Sequence, residues 1–156
     1  MLPTKRLVDL IERNADALSK AWLKDIQGRE EMPTYRSYDP DRLYERVYRV
    51  YSQLGKWISK QTTKQDIAAE YTVMGADRYR EEFRLSEVVQ ALTLTRRHLW
   101  LKVLFEGLLD TALDLHGAME MNNGVVLFFD RAILCTIQGY ETERARNDEM
   151  RRAEDW

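Results

Sequence analysis

After Pro40 the chain contains no further proline, and its 156 residues include only seven glycines. A backbone so rarely interrupted suits long helices, because proline breaks a helix interior and glycine weakens one. The apolar residues agree, recurring at spacings of three and four rather than two. Leu7, Ile11, Ala15, Leu18, Trp22 and Ile26 fall on one face of a first helix, for which Thr4 is the expected N-cap. Gly28 and Pro33 interrupt this pattern, so residues 28–39 read as a connection. Asp39-Pro40 is a start signal: the carboxylate accepts from free amides of the first turn, and proline there lacks only an N–H that had no partner. The helix that follows carries Leu43, Val47, Val50, Leu54 and Ile58 on one line, flanked by Tyr44, Tyr48 and Tyr51. Thr63 is expected to cap a third helix with Ile67, Tyr71 and Met74 inward and an end between Tyr79 and Glu82.

Ser86, followed by Glu87 and Val88-Val89, is the expected cap of a fourth helix. Two adjacent apolar lines run along it: Val88, Leu92, Thr95, Leu99 and Val103, then Ala91, Leu94, His98, Leu101, Phe105 and Leu108. Such a broad face suits a helix with neighbours on several sides. Residues 107–117 permit a break, and a last helix is expected from about Ala118. Its lines are Val126, Phe129, Ile133, Ile137 and Tyr140, beside Val125, Phe128, Ala132 and Cys135. From Glu141 to Trp156 charged residues dominate, with opposite signs four apart at Arg144 and Asp148, Asp148 and Arg152, and Arg151 and Asp155. The expected architecture is therefore all-α, an antiparallel bundle of about five main helices. Residues 1–140 are expected to form one helical domain and residues 141–156 a charged helical extension.

With 44% hydrophobic and 32% charged residues, the chain has material for one core and for a soluble surface. Twenty-four basic residues face twenty-six acidic ones, a formal charge of -2, and no basic field suited to a polyphosphate develops. A single cysteine, Cys135, excludes an intramolecular disulfide and fits a reducing compartment, so a cytoplasmic location is expected. Lys5, Arg6, Asp9 and Glu12 exclude a signal peptide in the first residues, and no apolar run is long enough for a membrane span.

No pattern of reactive residues interrupts the helices. His98, an imidazole on an apolar face, invites haem ligation, phosphotransfer or pH sensing, yet a lone histidine there reads first as a core residue hydrogen-bonded to a neighbour. Its surroundings, Thr95-Arg96-Arg97-His98-Leu99-Trp100, lack the acidic and proline residues of phosphoacceptor helices. His116, near Asp114 and Glu120, lacks a compact ligand spacing. Cys135 lies on an apolar line, where a thiol behaves as a small hydrophobe. Tyr35, Tyr38, Tyr44, Tyr48 and Tyr51 interleave with Arg36, Arg42, Arg46 and Arg49 in a way that could stack bases and hold phosphates, but Asp39, Asp41 and Glu45 dilute the charge. A half-buried helix with snorkelling arginines accounts for the pattern. No Gly-rich phosphate loop, nucleophile elbow or HExxH is present.

Leu10-Ile11-Glu12-Arg13-Asn14 followed by Trp22, then Pro33-Thr34-Tyr35-Arg36, Leu54 with Trp57, Tyr71 with Gly75 and Arg78, and Leu85-Ser86-Glu87-Val88-Val89 leading to Leu92, Arg96, Leu99 and Trp100, occur in this order. The series resembles the RsbRD-type N-terminal domain, a helical module found ahead of anti-sigma-antagonist (STAS) domains in RsbT co-antagonist proteins and ahead of some bacterial sensor kinases. The resemblance implies a signalling domain, globin-like in topology, that dimerises and passes a signal to an output module or partner protein, with residues 1–140 the sensory or regulatory domain and residues 141–156 the extension toward a missing or absent output module. It implies no catalytic residue. On this reading His98, Tyr71 and Trp100 are the candidate ligand pocket, and Phe128, Phe129, Ile133, Ile137 and Tyr140 mark the candidate dimer or signal helix. No metal, cofactor, nucleic acid or membrane is expected. The alternatives are a globin-like haem or small-ligand sensor using His98, a nucleic-acid binder using the Tyr/Arg helix, and an enzyme for which no constellation is visible.

Overall fold

The computed structural model describes residues 3–155, so Trp156 of the charged extension lies outside the described residues. Among the described residues there are eight helices and no strand. The first apolar line is divided between α1 (Pro3–Arg13) and α2 (Ala15–Gln27). At Asn14, between them, the side-chain amide donates to the Leu10 carbonyl at 2.7 Å, a local bond that competes with helix propagation. Leu7, Ile11, Ala15, Leu18, Trp22 and Ile26 nevertheless all remain buried, so the break bends the segment without turning its apolar face outward. Thr4 does not cap this segment. It lies inside α1 and donates to the Gly117 carbonyl at 3.3 Å, while Arg6 donates to the Gly107 carbonyl at 2.7 Å.

The expected connection contains a short helix, α3 (Pro33–Ser37). Five residues carry no readable period, and the group that satisfies its first amides is remote in sequence. The Glu87 carboxylate accepts from the Thr34 amide at 2.9 Å and the Thr34 hydroxyl at 2.8 Å. α4 (Pro40–Ser52) starts as expected, with the Asp39 carboxylate accepting from the Asp41 amide at 2.9 Å. A single turn, α5 (Leu54–Trp57), follows. Tyr51, rather than Val50, is fully buried, its hydroxyl donating to the Thr95 carbonyl at 2.8 Å.

α6 (Lys64–Arg80) opens with a reciprocal cap: Thr63 accepts from the Asp66 amide and Asp66 accepts from the Thr63 amide. α7 (Leu85–Glu106) begins at Leu85, so Ser86 is not its cap. Glu87, expected to act in that first turn, is turned inward to α3 instead. α8 (Ala112–Glu154) starts six residues before Ala118, because Thr111 and Asp114 form a second reciprocal cap. Its 43 residues span roughly 64 Å at 1.5 Å per residue.

α6 and α8 form the closest helix pair. A Cβ on Gly75 would lie 2.0 Å from the Thr136 carbonyl oxygen, and one on Gly139 would lie 2.0 Å from that of Thr72. The two glycines therefore let the backbones touch. α2 packs on α4 and α7, α1 on α8, and α7 on α8, while α4 and α6 scarcely meet. α8 passes residue 140 without a break. Beyond it, among the described residues, only Glu143 and Asn147 stay half-buried, held by Arg80 at 3.2 Å and the Tyr79 hydroxyl at 2.8 Å. Ion pairs on the extension join Arg144 to Glu141 and Arg146 to Glu143, three residues apart rather than four.

Candidate ligand cavity

Where α4 and α6 fail to pack, a cavity of about 720 Å³ opens, a volume usual for a small-molecule site. Leu43, Val47 and Val50 form its α4 wall, Trp57 comes from α5, Tyr71 and Met74 from α6, and Val88, Ala91 and Leu92 from α7. Trp57 is stacked on Phe128 at 5.4 Å between ring centroids and lies edge-on to Tyr71 at 5.6 Å. Burial raises the Tyr71 phenol well above its ordinary range, so it stays a neutral hydroxyl. The Trp57 side chain is buried, and its Nε1–H has no acceptor among the described residues.

Glu45, Glu70, Asp77 and Glu81 all line the cavity, and Glu81 gathers the most partners. Glu81 accepts from Arg46 at 2.5 Å, from the Tyr38 hydroxyl at 2.5 Å and from Arg78 at 2.7 Å. Desolvation raises its pKa, but hydrogen bonds from Arg46 and Tyr38 outweigh that and hold it below the ordinary carboxylate range. Helix α6 ends here in a Schellman motif, with the Phe83 amide bonded to the Arg78 carbonyl and the Glu82 amide to that of Tyr79, each at 3.0 Å. This turn sets Glu81 beside the arginines and sends Phe83 into the core, against Tyr35 at 4.5 Å. A second ion pair, Arg49 to Glu70 at 2.7 Å, also bridges α4 and α6. One nitrogen of Arg46, Nη1, is buried without a partner among the described residues.

His98, Tyr71 and Trp100 are not brought together. Tyr71 lines the large cavity, whereas His98 lies on a separate shallow groove of about 190 Å³ with Ala17, Leu18 and Phe105. The His98 Nε2 atom is 2.8 Å from Asp25, which also accepts from Arg29 at 2.9 Å. Trp100 packs half-buried against the core and lines neither space. The space beside His98 is a shallow groove smaller than ordinary ligand pockets, and the imidazole is held by Asp25. His116 is exposed, 3.9 Å from Glu120, and among the described residues no cluster of three His, Cys, Asp or Glu side chains could hold a metal. Cys135 is a buried free thiol.

The Tyr/Arg set is largely engaged within the fold. Tyr35 and Tyr51 are buried, Tyr44 donates to Asp16 at 2.5 Å, and Arg46 and Arg49 pair with Glu81 and Glu70. The sequence reading places Arg46 only in the Tyr/Arg set and Trp57 only among the residues of the family resemblance, neither in a ligand pocket, although a signal exists. Arg46 falls three residues after Leu43 and four before Val50, on the apolar line itself, and Arg78 stands likewise behind Tyr71 and Met74.

Against protein-family models, residues 16–154 match the RsbT co-antagonist protein rsbRD N-terminal domain. The chain belongs to this family. No match was found among curated proteins or among solved structures. Within this RsbRD N-terminal domain, the five residues expected on a dimer or signal helix divide by burial. Phe128, Phe129 and Tyr140 serve the chain's own core, the last donating to the Phe83 carbonyl at 2.6 Å, while Ile133 and Ile137 are half-buried. The outward side of α8 in the RsbRD domain carries Met119, Val126, Leu127 and Leu134, all exposed. No helix among the described residues is long and apolar enough to cross a membrane.

Proposed function

We propose that the chain is a non-catalytic sensory module of a bacterial cytoplasmic stress-response pathway, acting as a homodimer. Membership of the RsbRD N-terminal family supports a signalling role. The observation that carries the dimer is the run of exposed apolar side chains on α8, Met119, Val126, Leu127 and Leu134, opposite the buried stripe of Val125, Phe128, Ala132 and Cys135. Apolar surface arranged in this way favours association, at roughly 25 cal/mol for each square ångström removed from water. Pairing two copies of α8 about a two-fold axis covers the same patch on both.

In this reading α8 is also the output. It packs on α6 through Gly75 and Gly139, and α6 forms one wall of the cavity, so a change in cavity occupancy shifts α6 against a backbone that has no side chain to absorb the movement. The charged segment after Tyr140 hands that shift to an output domain or a separate signalling protein. A population shift between two packings suffices, provided a ligand or partner binds one better than the other.

Light scattering at increasing concentration is the test. A dimer is expected for the parent chain, and a monomer of unchanged helicity for the double variant Leu127→Glu/Leu134→Glu. A parent chain that remains monomeric at high concentration would overturn the dimer.

A further inference from the structure

Charge on the walls of the cavity between α4 and α6 cancels. Four basic and four acidic side chains line it, and seven of the eight are paired: Arg46 and Arg78 with Glu81, Arg49 with Glu70, and Arg80 with Asp77. The eighth, Glu45, is exposed to water. Glu87, buried beside the lining residue Val88, adds a negative charge, but its carboxylate is taken by the Thr34 amide and hydroxyl. An ion entering this space would give up hydration with no opposite charge free to replace it, a cost that a neutral molecule avoids.

The deeper wall is apolar, and its polar groups are spent within the chain. Leu43, Val47, Val88, Ala91 and Leu92 are all buried. The Ala91 carbonyl accepts from Trp22 Nε1 at 3.1 Å and from the Thr95 hydroxyl at 2.8 Å, while Arg46 Nη1 and Trp57 Nε1 are shut off from any space that a ligand could reach. Tyr71 is different. The residue is only 3% exposed, and its ring is fixed edge-on to both Trp57 and Phe128, at 5.6 Å between centroids in each case. Its hydroxyl makes no hydrogen bond with any described residue, yet unlike those two nitrogens it keeps accessible surface. The space that it faces is the cavity it lines, where the charges of Arg49 and Glu70 act on it. A rigid, nearly buried phenol with an unused O–H is a ready donor to a group inside this space.

We infer that this cavity binds a small uncharged molecule, largely apolar and carrying a carbonyl oxygen, a ketone or an ester, which accepts from the Tyr71 hydroxyl while its body lies against Val47, Val50, Met74 and Leu92. A molecule without an acceptor would leave that hydroxyl unpaired, and an ion would find every opposite charge already engaged. The inference deepens the sensory reading by naming the chemistry of what is sensed, and it rests on that reading only for the consequence of binding.

Three probes are titrated by fluorescence against the full chain. The first is 6-propionyl-2-(dimethylamino)naphthalene, a neutral ketone whose emission moves to longer wavelength when its carbonyl accepts a hydrogen bond. The second, N-phenyl-1-naphthylamine, is neutral and has no carbonyl, and the third, 8-anilinonaphthalene-1-sulfonate, is that naphthylamine with a negative charge added. Both neutral probes are expected to saturate one site per chain, and the sulfonate to bind about tenfold more weakly than the naphthylamine or not at all. Tyr71→Phe breaks no hydrogen bond to a described residue, so its melting temperature should match that of the parent. It should weaken the ketone by about three- to tenfold, the net worth of a hydrogen bond, move the bound emission to shorter wavelength and leave the naphthylamine unchanged. Met74→Trp, or Val50→Trp on the facing wall should the first fail to fold, fills the cavity and should remove both neutral probes at unchanged helicity. Ketone binding and emission indifferent to Tyr71→Phe, a sulfonate as tight as the naphthylamine, or a neutral probe that survives the filling substitution overturns the inference. Light scattering on the same samples separates the two claims: a dimer that binds neither neutral probe sinks the ligand site alone, and a monomer that binds both sinks the dimer alone.

Discussion

Glu82 shows how one residue shapes the site at a cost to stability. Its φ of 67° lies in the left-handed region, which costs a side-chain-bearing residue roughly 1–2 kcal/mol, and its exposed side chain makes no hydrogen bond or ion pair with any of the described residues that offsets this. The strain is tolerated because the turn places Glu81 between Arg46 and Arg78 and buries Phe83. Glu82→Gly keeps the turn and removes the clash, while raising the entropy of the unfolded chain. A net gain of up to about 1 kcal/mol is expected in urea denaturation, with the slope of the transition unchanged. A loss of stability would mean that the Glu82 side chain contributes something its surroundings do not reveal. The same turn explains why Glu81 was not legible in the sequence: its partners lie on other helices, and nothing within its own segment announces them.

At the scale of elements, the Gly75–Gly139 crossing joins the cavity wall to the long helix. An added methyl at either glycine meets backbone rather than a movable side chain, so the helices must separate. Gly139→Ala is expected to destabilise by about 3 kcal/mol or more, the upper end of overpacking costs, whereas Gly28→Ala, where a Cβ meets nothing closer than 3.6 Å, should change stability little. Thermal melts of both variants check this, and equal melting temperatures would dismiss the crossing as a constraint. The helices themselves were largely readable, because caps such as Asp39 and Thr63 act within their own first turn and the apolar lines of α4, α6, α7 and α8 follow the helical period. Asn14 and α3 were not, since each depends on a bond that competes with or supplements that period. Phe105 and Leu108 continue the second apolar line in sequence yet stand exposed: Leu108 lies past the end of α7, and at Phe105 the helix turns its Val103 side to the core. Periodicity identifies a face but not how far along it a neighbour extends. The cavity escaped for a related reason: its walls look like core in the sequence, and only the failure of α4 and α6 to meet makes them a site.

For the whole molecule, carboxylates tie the elements together, and their protonation sets the acid limit of the fold. Asp25, joining α2 to His98 on α7, sits below the ordinary range because hydrogen bonds from Arg29 and His98 outweigh the desolvation that raises it. Glu81, joining α6 to α4 and Tyr38, is lowered for the corresponding reason, and Asp66 and Asp114 are lowered by the hydrogen bonds of their helix caps. A carboxylate whose pKa is lower folded than unfolded contributes stability that is complete above its unfolded value and lost as pH falls through the folded one. The urea midpoint should therefore be nearly level from neutrality to about pH 5 and fall progressively below about pH 4, where unfolded carboxylates begin to hold protons that the folded chain refuses. Glu81→Gln should start from a lower midpoint at neutral pH and fall less steeply in acid, because one of the lowered groups is gone. A midpoint that rises below pH 4 would show that mutual repulsion among the twenty-six acidic residues, rather than their pairing across helices, governs the acid behaviour of this fold.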